Sequence, residues 1–334
     1  MKAPLPMQSG DEKISSGDPE FLQQTCIPFL RQSQNTDGGW GFSAWSGSRV
    51  EPTSWALLGL SEFASTDDLE QIDRGLNFLR SAQLPDGSWA SAPGQTEGSW
   101  VTALACWALG AAGSTHSQQE SQRALQLGLK WLSNERPADG GAFRRFVRRL
   151  VADKTVVAQN EAYYGWSWTS GTASWVEPTS YALLVLRRFA PPDMLATLGE
   201  RIRLAESMLL DRTCPGGGWN CGNPMVYGVA GQPQIGPTAW ALLALREQSN
   251  REEVRGSVEW LADNWRASST PGSLALADIC LRFYGASTLM MKRALCNAYS
   301  NDDAMWTVPD AAWSVLAMSP TEGWLKAPTL VNER

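Results

Sequence analysis

The chain is predicted to be all-α, an α6/α6 toroid in which six inner helices are wrapped by six outer ones. Three observations predict it. One apolar helix-start text recurs, an amphipathic segment precedes each copy, and a Gly-rich turn motif repeats between the two.

The apolar text is clearest at Val176-Glu177-Pro178-Thr179-Ser180-Tyr181-Ala182-Leu183-Leu184 and at Val50-Glu51-Pro52-Thr53-Ser54-Trp55-Ala56-Leu57-Leu58. Gly236-Pro237-Thr238-Ala239-Trp240 keeps the Pro-Thr start, and Trp100-Val101-Thr102-Ala103-Leu104 keeps the Thr and the apolar tail. Pro suits the first helical position, where its missing N–H would have no partner anyway. The Trp, Ala and Leu residues after it leave no polar face, so each of these helices must be buried on every side. Ser273 to Tyr284 and Pro309 to Met318 complete a set of six.

Ahead of each buried segment lies an amphipathic one: Glu20 to Gln34, Ile72 to Gln83, Gln122 to Glu135, Met194 to Arg212, Glu252 to Trp265 and Thr288 to Ser300. Apolar residues three and four apart, such as Ile72, Leu76 and Leu79, define the inward face. A helix pair whose apolar member cannot be buried alone is a repeat unit. Closing six such units into a ring leaves no exposed end.

The turns carry their own repeat. Gln34 to Trp40 and Gln83 to Trp89 share Q-x-x-D-G-x-W, with worn copies at Asp139 to Phe143, Pro215 to Trp219 and Asp302 to Trp306. Gly is expected to end the outer helix with positive φ, Asp to cap the turn, and Trp to lie back over the helix just left.

These residues resemble the squalene and oxidosqualene cyclase family and its relatives, the class II diterpene cyclases and protein prenyltransferase β subunits. The resemblance runs from about Phe21 to Met318 and implies a single α6/α6 barrel at 19–320, between a flexible segment at 1–18 and a tail at 321–334. At this length the second helical domain of triterpene cyclases is not expected. An insertion at 143–164 interrupts the spacing; in it, Phe143 to Val151 sets Phe, Val and Leu against four Arg. That pattern reads as a surface helix, as a peripheral membrane contact or as an Arg clamp for a diphosphate.

Composition bounds the chemistry. The net charge of -6 argues against nucleic-acid binding, which requires a basic face. Six scattered Cys without C-x-x-C read as reduced thiols of a cytoplasmic protein. Met1 to Ser16 has no apolar run of the signal-peptide kind, and the run from Ser99 to Gly113 is short for a span of ~20 residues. The only histidine, His116, lies in a polar loop. With it go the prenyltransferase zinc set and every Ser-His or Cys-His mechanism, so no metal and no cofactor is expected.

Inner helices of such a ring all begin at one rim, so the residues at their starts look into its mouth. Glu51 and Glu177 each stand eleven residues after the first Trp of an aromatic loop. One reading is electrostatic, a carboxylate gaining ~0.3–1 kcal/mol from the helix macrodipole. The other comes from the resemblance: the proton-donating middle Asp of the class II Asp-x-Asp-Asp-Thr-Ala stretch falls at Glu51 or Glu177. Neither copy has the flanking acids, since Arg49 and Trp175, then Pro52 and Pro178, stand there. A lone Glu would have to be kept protonated by an apolar pocket.

Around these acids Trp45, Trp55, Trp100 and Trp168 are candidate cavity aromatics, as are Trp175, Tyr181, Trp240 and Trp313. Asp278 and Asp310 are secondary candidates on inner helices five and six. The function expected is acid-initiated carbocation cyclisation or isomerisation of an isoprenoid, and the alternative a non-catalytic barrel that binds a lipid or a protein.

Overall fold

The computed structural model describes residues 22–112, 118–140, 159–160, 162–268, 270–299, 306–319 and 323–325. The expected segment at 1–18, His116 and the basic stretch from Phe143 to Val151 lie outside the described residues. Among those described, twelve α-helices alternate in burial. The outer ones are α1 (Ile27–Gln32), α3 (Leu69–Ser81), α5 (Gln118–Asn134), α7 (Pro192–Asp211), α9 (Glu252–Asn264) and α11 (Leu289–Tyr299). Their inner partners are α2 (Val50–Glu62), α4 (Val101–Ala112), α6 (Val176–Phe189), α8 (Ile235–Ala244), α10 (Pro271–Phe283) and α12 (Val308–Met318).

Each inner helix packs on the next, and α12 returns to α2, so the ring closes. The closing seam is tight because Gly59 has no side chain: a Cβ there would sit 3.2 Å from the Cα of Ala312. Each outer helix covers one or two inner neighbours with a single apolar stripe. On α3 that stripe is Ile72, Leu76 and Leu79, whereas on α2 every residue from Pro52 to Leu60 is buried.

Helix starts differ from expectation at three places. The helices at 50 and 176 begin two residues before their prolines, so Pro52 and Pro178 occupy the third position. The first four N–H groups of a helix have no intrahelical acceptor, so proline is tolerated throughout the first turn. Inner helix five begins at Pro271, ahead of the expected Ser273, with that proline in its first turn.

The turn motif acts as a stitch between repeats. Trp40 Nε1 donates to the Leu30 carbonyl at 2.7 Å, back over the helix just left, and Trp89 does the same to Leu79 at 2.7 Å. Gln34 Nε2 donates to Gly38 O and to Gln71 O of the next outer helix, both at 2.8 Å. Gln83 repeats this with Gly87 and Ala124 at 2.9 Å. Gly38 takes φ +88°, and a Cβ on it would lie 2.5 Å from the Arg74 carbonyl, so the turn abuts the next outer helix directly.

Candidate active site at the barrel mouth

The mouth is built by a bond that occurs four times among the described residues. Trp40 N, Trp89 N, Trp166 N and Trp219 N donate to the hydroxyls of Thr53, Thr102, Thr179 and Thr238 at 2.8–2.9 Å. Each bond ties the end of a turn motif to the first turn of the following inner helix. The residue two before each Thr is thereby held at the rim: Glu51 on α2, Trp100 just ahead of α4, Glu177 on α6 and Gly236 on α8.

Arg49 and Trp175, just before α2 and α6, have the same extended backbone, φ -136° ψ 153° and φ -132° ψ 159°. Glu51 and Glu177 are thus equivalent second residues of their helices. Burial pushes both carboxyls up to about 7, and the charge of Glu177 adds to the rise at Glu51. The macrodipole favours the anion by only ~0.3–1 kcal/mol, so desolvation wins. Among the described residues neither carboxyl has a hydrogen bond or an ion pair. Burial also lifts the Tyr181 hydroxyl well above its ordinary range, and both glutamates contribute to the rise. Tyr181 lies one turn below Glu177 and Trp55 one turn below Glu51, where residues four apart share a face.

An aromatic column descends from there. Trp100 meets Trp168 edge-on at 4.8 Å and stacks on Tyr181 at 5.7 Å. Tyr181 meets Trp240 at 5.0 Å and Trp55 at 6.1 Å. Trp55 lies 5.4 Å from both Trp240 and Trp313. One turn below the carboxyls these rings therefore touch across the barrel axis. Trp107, which the sequence did not single out, continues the column under Trp55 and Trp240 at 6.1 and 6.2 Å.

Other candidates stand apart from this group. Trp45 is 94% exposed on its loop. Trp175 packs its ring beneath Gly222, where a Cβ would meet it at 2.7 Å. Asp278, fully buried, faces Arg282 at 3.6 Å, and its charge partly offsets the burial that lowers the pKa of Lys292, so it is answered by cations instead of facing the mouth. Asp310 caps its own helix, accepting from Thr307 N and Oγ1 at 2.8 and 2.7 Å. That Thr-x-x-Asp spacing is readable in the sequence as a capping box. Cys221, in contrast, belongs to the mouth: its carbonyl accepts from Val176 N at 3.1 Å, and the Glu177 charge helps raise its thiol pKa. No local pattern signals this, because the contact joins α6 to the loop before α8. A separate cavity of about 360 Å³ is bordered by Arg49, Val50, Phe78, Ala82 and Leu84. No helix among the described residues is long and apolar enough to cross a membrane.

Comparisons with known proteins agree with this architecture. Residues 11–99 match the model of the squalene-hopene cyclase C-terminal domain. Lanosterol synthase of Pneumocystis carinii is 36% identical over 80 residues, 21% of this chain and 11% of that one. Squalene–hopene cyclase of Zymomonas mobilis is 34% identical over 77 residues, 20% of this chain and 12% of that one. The aligned stretches thus span only about a tenth of these relatives. Among solved structures, a type II terpene cyclase from Scytonema in complex with geranylgeranyl dihydroxybenzoate superposes at TM-score 0.53, with 13% identity, over 90% of this chain and 97% of the other. A protein from Actinoplanes reaches 0.57 with 14% identity, over 92% and 99%. An endo-beta-1,4-glucanase from Acetobacter xylinum reaches 0.52 with 12% identity, over 91% and 99%. The fold is therefore the α/α toroid, and the chain is similar to class II terpene cyclases in its first quarter. The glucanase shows that the toroid alone does not choose a chemistry.

Proposed function

We propose that this terpene-cyclase-like barrel is an isoprenoid-processing enzyme in which Glu51 or Glu177 donates the proton that starts a carbocation cyclisation or isomerisation. The observation that carries the proposal is the pair of half-buried carboxyls, raised to about 7 by desolvation, at the head of an aromatic column. Below that pH a carboxyl is neutral and able to donate; ring faces beneath it stabilise positive charge by ~0.5–2 kcal/mol per contact.

A raised pKa also means a weaker acid, which limits the substrate. Protonating an isolated alkene calls for a stronger donor, so an epoxide oxygen or an allylic alcohol fits better. The acid O–H breaks as the substrate oxygen takes the proton. The C–O bond then opens to a cation, the oxygen staying on the product as a hydroxyl from an epoxide or leaving as water from an allylic alcohol, and the cycle ends when the cation returns a proton to the carboxylate. The hydrophobic substrate would enter at the mouth. Peripheral membrane contact through Phe143 to Val151 remains part of the proposal.

One observation favours a second reading, a non-catalytic lipid-binding or scaffold barrel: the rings meet across the axis one turn below the acids. The test is incubation with squalene, oxidosqualene and geranylgeranyl diphosphate, with Glu51→Gln and Glu177→Gln alongside. Cyclised product lost in either variant supports the enzyme. Product indifferent to both removes these acids, and saturable binding without turnover supports the carrier.

A further inference from the structure

Residues beyond α12 lie against the barrel's second opening. At the end of α12, Ser319 Oγ donates to Glu62 at the foot of α2. Five residues on, Trp324 is 2% exposed and Leu325 also 2%. Trp107 Nε1 donates to the Trp324 carbonyl at 2.7 Å, and the two rings stack at 5.4 Å with planes 30° apart. Arg246, just past the end of α8, donates to the Leu325 carbonyl at 3.4 Å. In the ring, α2 and α12 are neighbours and α8 lies opposite α2, so Ser319 and Leu325 are held on opposite sides of the lower rim, with Trp324 against Trp107 between them.

We propose that Trp324 is a plug that seals the lower end of the barrel against water, and through that seal a positioning residue for the proposed reaction. Trp324 supplies the last ring of the aromatic column, stacked on Trp107. Trp55, Trp107 and Trp240 are each no more than 1% exposed, and the underside of Trp107 is covered by Trp324. A carbocation in a wet chamber captures water: the new C–O bond forms from a water oxygen, one proton leaves to solvent, and an alcohol appears in place of the alkene. Sealing the floor therefore directs the outcome toward proton loss. This second consequence rests on the cyclase reading; the seal does not.

The test tracks the Trp107 indole N–H by exchange with deuterium in the full-length protein, its NMR signal assigned by loss in Trp107→Phe. In Trp324→Ala the expected result is exchange about tenfold faster or more, with the backbone amides of α4 still protected. Trp324→Phe, which keeps a ring, is expected to retain slow exchange, and free indole added to Trp324→Ala to restore part of it. Unchanged Trp107 exchange in Trp324→Ala overturns the plug. If Trp324→Ala does not fold, Leu325→Ala is read in the same way, and slow exchange there overturns it equally. With a turned-over polyprene, the alcohol-to-alkene ratio is expected to rise in Trp324→Ala while substrate consumption persists. A fixed ratio overturns the positioning role, and absence of turnover in the unaltered protein defeats the cyclase reading alone.

Discussion

Glu51 and Glu177 share the mouth of the ring closely enough that, beyond desolvation, the charge of Glu177 raises the pKa of Glu51. Both titrate near 7 in the folded protein against an ordinary value of 4.5. Between those values the folded chain binds more protons than the unfolded one. Stability therefore falls as pH rises from about 4.5 to 7 and levels off above it. Melting temperatures from pH 5 to 8 check this. Glu51→Gln/Glu177→Gln is expected to flatten the slope and to be more stable than the parent at pH 8. A slope equal to the parent's would show that the carboxyls are not desolvated.

If the acids act in turnover, the active species is protonated. The apparent kcat/KM is then expected to decline as pH climbs through about 7. Replacing the donating glutamate with Gln is expected to lower kcat by about 10²–10⁴-fold. The pH profile and the two single variants together identify which carboxyl donates.

Thr53 and Thr238 each hold a buried Trp N–H at 2.8 Å. Val at either site keeps the shape and removes the acceptor. The orphaned donor is expected to cost about 1–3 kcal/mol in urea unfolding, while Ser should restore most of it. Equal loss in Val and Ser would assign the effect to packing.

Arg201 stacks over Tyr164 and Trp166 at 4.5 and 4.2 Å, donates to the Gly165 carbonyl, and lies 3.8 Å from buried Glu135. Burial raises the Glu135 carboxyl to about 7 even with that cation beside it. Arg201→Met is expected to destabilise the protein by about 3–5 kcal/mol at pH 8, because the charge on Glu135 is left without its counterion. Glu135→Gln in the same background should recover part of the loss, measured by a double-mutant cycle.

Gly87 takes φ +91°, and a Cβ there would lie 2.8 Å from the Leu127 carbonyl. Gly87→Ala is expected to cost more than the ~1 kcal/mol of an exposed left-handed alanine, since backbone must also move. Chemical denaturation of the variant measures it.

Much of the barrel could be read from local text. The period of the amphipathic segments and the unbroken apolar runs mark outer and inner helices, and the spacing of Q-x-x-D-G-x-W marks the turns between them. The likeness of the texts around Glu51 and Glu177 singled out both acids, because equivalent positions in a repeat occupy equivalent places in the ring. The Thr-x-x-Asp box at Asp310 was equally local.

Direction and depth were not local. Trp45 and Trp55 are one residue type ten positions apart, yet one stands in solvent and the other is fully buried. The spacing of four along α10 pairs Asp278 with Arg282, but nothing local places Lys292 of the next outer helix near the same carboxylate. The chain alone determined that apolar helices had to be enclosed and how many pairs would enclose them, because hydrophobic patterning acts over one or two turns. Only the tertiary structure decided which indoles meet on the axis, that Cys221 joins the mouth, and that Trp324 closes the floor. Those contacts join segments far apart in the chain, and their partners are set by the curvature of the closed ring.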